Sequence, residues 1–288
     1  TGFINWVEAI SALTFGEVVP IDGKTVRGSH DKRQGKEAIH LVSAWAGKNE
    51  LVLGQVKVDD KSNEITAIPE LLRLLAINGC IVTIDAMGCQ TDIASEIISR
   101  GGDYVLALKD NQKRLHQEVQ RLFSDALSDP HATIPYKFAQ TVHKDHGRIE
   151  TRRCWAIDDP DYIAYLDPQG RWPELRTVIR IETERRVGDD TCCDTRHYLA
   201  SLAGDPCHLN HVIRTHWHIE NKLHWVLDVA FREDHCRVRR GHAAENLAVL
   251  RHIALNLLKQ EKTAKCGIKN KRLKAGWDND YLRKVLSC

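Results

Sequence analysis

The sequence predicts an α/β chain with a mixed sheet flanked by helices and interrupted by a β-rich insertion. Three observations carry that prediction. The runs at 18–26, 39–46 and 51–58 are β-branched or apolar and read as strands, the last two joined by the short turn Gly47-Lys48-Asn49-Glu50. Helical and strand patterns then alternate. From about residue 131 the pattern becomes strand after strand, and helical periodicity returns only near 207.

Taken in order, Asn63 or Ser62 caps a helix reaching about Ile77, with apolar residues at 65, 68, 71, 72 and 75. Cys80–Asp85 is a short apolar run of the kind covered on both faces of a sheet. A helix over 91–100, a strand over 104–108 and a helix near 112–126 follow. Inside 131–205, strand-like runs at 151–157, 177–182 and 196–202 are separated by polar turns holding Pro135, Pro160, Pro168 and Pro173. Helices are expected over 207–232 and 243–260. The chain therefore divides into a first core part (1–130), the insertion (131–205), a core completion (206–260) and a basic C-terminal tail (261–288).

Composition excludes several classes. With 28% charged residues and seven tryptophans among 288 residues, the chain is globular rather than disordered. It has no 18-residue apolar run, and Thr1-Gly2-Phe3-Ile4-Asn5-Trp6 lacks the pattern of a signal peptide, so a cytoplasmic protein without a membrane partner is expected. Met87 is the only methionine, and the chain is expected to lack N-terminal sequence. Nine cysteines without Cys-x-x-Cys spacing suit reduced thiols. The net charge of +2 hides an asymmetry: between Arg237 and Lys274 there are eleven Lys/Arg against Glu245 and Glu261, a local charge of +9. Such a segment suits a polyanionic partner, although charge runs are commonly just solvated faces.

Three carboxylates stand out. Asp22 interrupts a strand and Asp85 ends one; a charge there is costly unless it is paired or bound to metal. On a regular helix, turning about 100° per residue, Trp217, Glu220, His224, Leu227 and Phe231 fall on one side with Ile213, which places Glu220 in the apolar stripe. Two strand aspartates and a helix glutamate make a hard-oxygen set suited to Mg²⁺ or Mn²⁺. Two such ions, about 4 Å apart, serve phosphodiester chemistry. Three antiparallel strands, alternating β/α units and a late acidic helix follow the order of the ribonuclease-H-like fold. Zinc fits less well: eight of fifteen histidines fall between 208 and 252, but no His-Glu-x-x-His occurs. A phosphate-binding glycine loop and a Gly-x-Ser-x-Gly elbow are also absent.

Five ordered motifs then carry a family resemblance. Ile21-Asp22-Gly23-Lys24, Thr83-Ile84-Asp85-Ala86-Met87, Ala107-Leu108-Lys109-Asp110-Asn111-Gln112, His146-Gly147-Arg148-Ile149-Glu150-Thr151-Arg152 and His216-Trp217-His218-Ile219-Glu220-Asn221-Lys222-Leu223-His224-Trp225 resemble those of bacterial insertion-sequence DDE transposases. The branch is that of the H-repeat-associated proteins. The resemblance implies a metal-dependent polynucleotidyl transferase, or endonuclease, that cuts and joins strands at insertion-sequence ends. It implies Asp22, Asp85 and Glu220 as catalytic, metal-binding acids holding two Mg²⁺ or Mn²⁺ ions, and double-stranded DNA and a homodimer partner. Lys24, Lys109, Asn111, Gln112, Arg148, Arg153, Arg214 and His224 become candidate DNA contacts. The related transposases carry Tyr and Arg ahead of the glutamate and Lys after it; here Ile213, His216 and Leu227 stand in those places, with Arg214 offset by two. An inactive DNA-binding remnant and a non-specific nuclease of the same fold are the rival readings.

Overall fold

A computed structural model describes residues 2–10, 13–31, 35–59, 62–128, 134–145 and 147–287. The motif residue His146 and the expected boundary at 130–131 lie outside them. Two compact units form, one from 1–76 with 217–288 and one from 77–216.

In the first unit, helix α1 (Gly2–Ile10) precedes the antiparallel meander β1 (Val18–Thr25), β2 (His40–Ala46) and β3 (Leu51–Lys57). Asp22 lies opposite Ser43, and a bulge between Ala44 and Trp45 shifts the β2–β3 register. Helix α2 (Glu64–Leu74) starts at Asn63, whose side chain accepts from the Ile65 amide, so the sequence-based capping residue is the one used. The last part of this unit holds a π-helical turn (Ile219–His224), α7 (Trp225–Phe231), α8 (Ala243–Gln260), α9 (Ile268–Trp277) and α10 (Asn279–Leu286). Trp45, Val52, Ile219, Leu223, Leu227 and Leu255 pack together in one buried cluster of its core. Asn256, fully buried on α8, uses its amide group twice on β3: it accepts from the Val52 N–H and donates to the Val52 carbonyl, both at 2.9 Å.

In the second unit, β4 (Ile81–Ile84), α3 (Thr91–Ser99) and β5 (Asp103–Leu108) make a parallel β–α–β crossover, followed by α4 (Lys113–Ser128). The strands β6 (Lys137–Asp145), β7 (Arg148–Ile157), β8 (Thr177–Val187) and β9 (Asp190–Ala200) form an antiparallel set, with α5 (Pro160–Leu166) between β7 and β8. Strand β9 joins β5 antiparallel, which makes this sheet mixed. Helix α6 (Pro206–His216) packs on β4, β6 and β7.

Two expectations change. The single helix expected over 207–232 is broken: α6 ends at His216, Trp217 is a turn, and the helix resumes with π geometry. The wider turn resets which residues face inward, so Ile219, Leu223 and Leu227 are buried and Glu220 is exposed rather than set in the apolar stripe. Second, no element was expected beyond 260, yet α9 and α10 form there and use much of the basic charge internally. Lys271 donates to the Leu258 and Glu261 carbonyls at the end of α8, Arg272 lies over the Phe231 ring, and Lys274 over Tyr281. Among the described residues every cysteine is a free thiol, and no helix is long and apolar enough to cross a membrane.

Glu261 ties this C-terminal region together. Its buried carboxylate accepts from the Thr263 amide at 2.6 Å, the Tyr281 hydroxyl at 2.7 Å and the Thr263 hydroxyl. Burial alone would raise its pKa, but the hydrogen bonds from Thr263 and Tyr281 outweigh that and hold it at about 2, against an ordinary 4.5. The folded-state value lies below the unfolded one. Glu261 therefore contributes stability that is fully present above the unfolded value and lost as pH falls toward 2. Thermal unfolding of the protein and of Glu261→Gln, followed from near-neutral to strongly acidic pH, should show the gap between them closing with acid; a constant gap would mean that the Glu261 carboxylate is not the titrating group.

Candidate metal centre and its surroundings

Strand periodicity builds the first half of the site. Successive side chains in β1 point to opposite faces, so Asp22 and Lys24 share one face and position 23 has the other. A Cβ at 23 would overlap the carboxylate of Glu64 and the imidazole of His40, which pair at 2.5 Å, so a larger residue there would displace that pair. The π turn supplies the second half. Such turns often occur at functional sites, and this one places Glu220 and His224 four residues apart with their side chains converging.

His224 Nδ1 lies 3.1 Å from Glu220 Oε2 and 3.5 Å from Asp22 Oδ2. Ligand atoms from Asp22, Glu220 and His224 all fall within 4.8 Å of one another, the one such His/Cys/Asp/Glu group among the described residues. The hydrogen bond from His224 holds the Glu220 carboxyl below the usual carboxylate range; partial burial opposes the shift, and the Lys24 charge adds to it. The carboxylate oxygens are hard donors of the kind that hold Mg²⁺ or Mn²⁺. Two carboxylates and an imidazole gathered within 4.8 Å are a donor set that fits a divalent cation.

Asp85 is in the second unit, directly after β4. Its Oδ1 accepts from the Met87 amide at 3.0 Å and the Gly88 amide at 3.4 Å, an Asx-type turn that fixes the carboxylate's orientation. Asn111 and Gln112 hold the same loop. Asn111 Nδ2 donates to the Ala86 carbonyl, and Gln112 Nε2 donates to the Cys89 carbonyl at 3.0 Å. Their amides thus brace the segment after Asp85, where the sequence had suggested DNA contacts. Thr83 Oγ1 and His216 Nδ1 meet at 3.0 Å within this unit.

The other expected contacts divide by exposure. Lys109 and Arg148 are exposed. Arg214 is partly exposed and lies 3.7 Å from Glu150. Arg153 is engaged by Glu182 at 2.8 Å and Glu184 at 3.0 Å, which raises its pKa and occupies its guanidinium. His224 is only 4% exposed, beneath the two acids rather than on the surface. Lys24 is also withdrawn: its ammonium contacts Asp228 at 2.5 Å, Glu233 at 2.9 Å and Asp234 at 3.6 Å. Desolvation lowers its pKa, but these carboxylates more than offset that and keep it charged. Asp228, Glu233 and Asp234 were not foreseen, and no spacing pattern links residues some 200 positions from Lys24.

Comparison with known proteins places the chain in a family. The Transposase DDE domain family matches residues 13–257. The provisionally named H repeat-associated transposase YhhI of Escherichia coli strain K12 is 42% identical over 99% of this chain and 75% of its own length. YncI of Escherichia coli O157:H7, with a similarly provisional transposase name, is 42% identical over 99% of the chain and 73% of its own. A structure of a piggyBac transposase synaptic complex with hairpin DNA superposes with a TM-score of 0.50 at 12% identity. That match covers 96% of this chain and 55% of that one, and it shows the ribonuclease-H-like mixed α/β fold. With this family match over residues 13–257 and relatives 42% identical over 99% of its length, the chain belongs to the DDE transposase family.

Proposed function

We propose that this chain cuts DNA at insertion-element ends and transfers the resulting strand end, with Asp22, Asp85 and Glu220 holding divalent Mg²⁺ or Mn²⁺, two ions in all. The observation that carries the reading is the convergence of the Asp22 and Glu220 carboxylates on one imidazole inside a DDE transposase domain. A bound divalent cation would supply Lewis-acid activation of the phosphodiester and of an attacking water. The chain's own residues orient the donors. His224 hydrogen-bonds Glu220, the Met87 and Gly88 amides fix Asp85, and Asn111 with Gln112 brace the loop that carries them.

Double-stranded DNA is the proposed substrate, engaged by a homodimer. Lys109, Arg148, Arg214 and the exposed cations Arg237, Arg240, Lys262, Lys265 and Lys269 are the proposed phosphate contacts. Such contacts position the duplex without reading its sequence, and they make binding fall steeply with salt. The same reading keeps 1–130 and 206–260 as core, 131–205 as the insertion and 261–288 as a basic flank.

The test is Mn²⁺-dependent cleavage of labelled DNA carrying the element's end, set against scrambled DNA, with Asp85→Asn as control. End-specific nicking that the variant loses, with DNA affinity unchanged or higher, is the expected result. Cleavage retained in Asp85→Asn removes that residue from the site. Cutting of both DNAs alike indicates a non-specific nuclease. Salt-sensitive binding without any cleavage indicates an inactive DNA-binding remnant.

A further inference from the structure

Lys24 sits two residues after Asp22 on the same face of β1, and its partners belong to the segment that continues from Glu220. Asp228 is on α7, which follows the π turn without a break, and Glu233 and Asp234 come directly after that helix. We propose that Lys24 is a positioning residue: by pairing with Asp228 and Glu233 it holds the β1 acid, Asp22, in register with the π turn that carries Glu220 and His224. This rests on the reading of Asp22 and Glu220 as metal-holding acids.

The cluster closes over a buried acid, Glu233. The Lys24 side chain is 11% exposed and Glu233 1%, and Arg251 adds a second cation 3.3 Å from Glu233. Buried ion pairs are weak devices for stability, since apolar replacements often do as well, and their best-attested use is to fix register. Only two strand residues, about 7 Å, separate Lys24 from Asp22 along β1. Glu220 and Asp228 lie on one unbroken helical segment, the first in the π turn and the second in α7. Strand and helix are each continuous, so a fixed point at Lys24–Asp228 sets the relative placement of the two acids.

The chain accepts strain to make this contact. Arg232 ends α7 in the left-handed region at φ 53°, and that turn returns Glu233 and Asp234 toward β1. The returning segment is fastened again just beyond. The Arg27 amide donates to Asp234 at 3.2 Å, and Arg239 Nε donates to the Gly28 carbonyl at 3.1 Å. Gly28 has no room for a Cβ, which would overlap the Cys236 carbonyl.

The experiment uses the full chain with Lys24→Met and Asp228→Asn, and with Leu258→Ala as a variant of comparable stability loss, because Leu258 is buried in a separate cluster with Tyr281 and Val285. Mn²⁺ alone is titrated, and the His224 imidazole is followed by NMR as a reporter seated between the two acids. Both clamp variants should weaken Mn²⁺ binding by at least about tenfold, the range of outer-sphere ligand partners, and should move the His224 signals. Leu258→Ala should leave both within about twofold, and Lys24→Arg should recover part of the loss. The proposal is overturned if both clamp variants bind Mn²⁺ like the parent with His224 unmoved. If the parent binds no Mn²⁺, the metal-site reading fails, and the His224 signals alone decide: moved supports the clamp, unmoved overturns it. If Lys24→Met does not fold, Asp228→Asn decides, since Asp228 is 36% exposed and its loss removes one partner only.

Discussion

Asp22→Asn is expected to lower Mn²⁺-dependent cleavage by a factor on the order of 10³ while the protein stays folded and still binds DNA. The size follows from losing about 4 kcal/mol of charge stabilisation in the transition state, at 1.36 kcal/mol per tenfold. The fold should tolerate the change because Asp22 is partly exposed and the amide keeps its shape. Removing one of two like charges beside His224 also relieves their mutual repulsion. Thermal stability without metal should therefore be unchanged or slightly higher, while the stabilisation that Mn²⁺ gives the parent should vanish. Glu220→Gln should lose cleavage and the Mn²⁺ stabilisation in the same way, since both acids meet the same imidazole. Rapid cleavage by either variant, or a Mn²⁺ shift equal to the parent's, would remove the pair from the chemistry.

Leu223→Ala is expected to cost about 3 kcal/mol of stability and to lower Tm by roughly 10 °C. Leu223 is fully buried among Trp45, Val52, Ile219, Leu227 and Leu255. It lies within the π turn, so its anchoring also keeps Glu220 facing outward. The variant should lose more cleavage than its stability loss explains when assayed well below its Tm. Thermal melts and rate measurements on one sample check both parts; a Tm within about 2 °C of the parent's would show that the cluster tolerates the void.

The strands carrying the acids were legible because their signals are local. A β-branched run around Asp22 and an apolar run ending at Asp85 are each decided within eight residues. The Asn63 cap and the α8 boundaries were readable for the same reason. The helix around Glu220 was not. A helical wheel assumes one constant rotation per residue, and the turn at Trp217 with the π geometry after it breaks that assumption without any Gly or Pro to mark the place. Strand β6 was missed because polar Gln140, His143 and Lys144 hide its alternation. Helices α9 and α10 were hidden by charge that their own packing consumes. Within the site, the residue types were predictable and their partners were not. Lys24 reads as a cation available to phosphate until the fold brings Asp228 and Glu233 to it, and His224, a candidate DNA contact in the sequence, lies beneath the two acids.

The double hydrogen bond from Asn256 to Val52 has a consequence for how this protein behaves in concentrated solution. A strand at the rim of a meander presents unpaired N–H and C=O groups, which are a template for joining another chain's strand. Strand β3 is such a rim, and its apolar residues would make it an adhesive one. At Val52 both backbone groups are already taken by a side chain from the same chain, and α8 and α1 pack against this strand. One buried amide thus does the work of a further strand, and the rim is closed to self-association through that point.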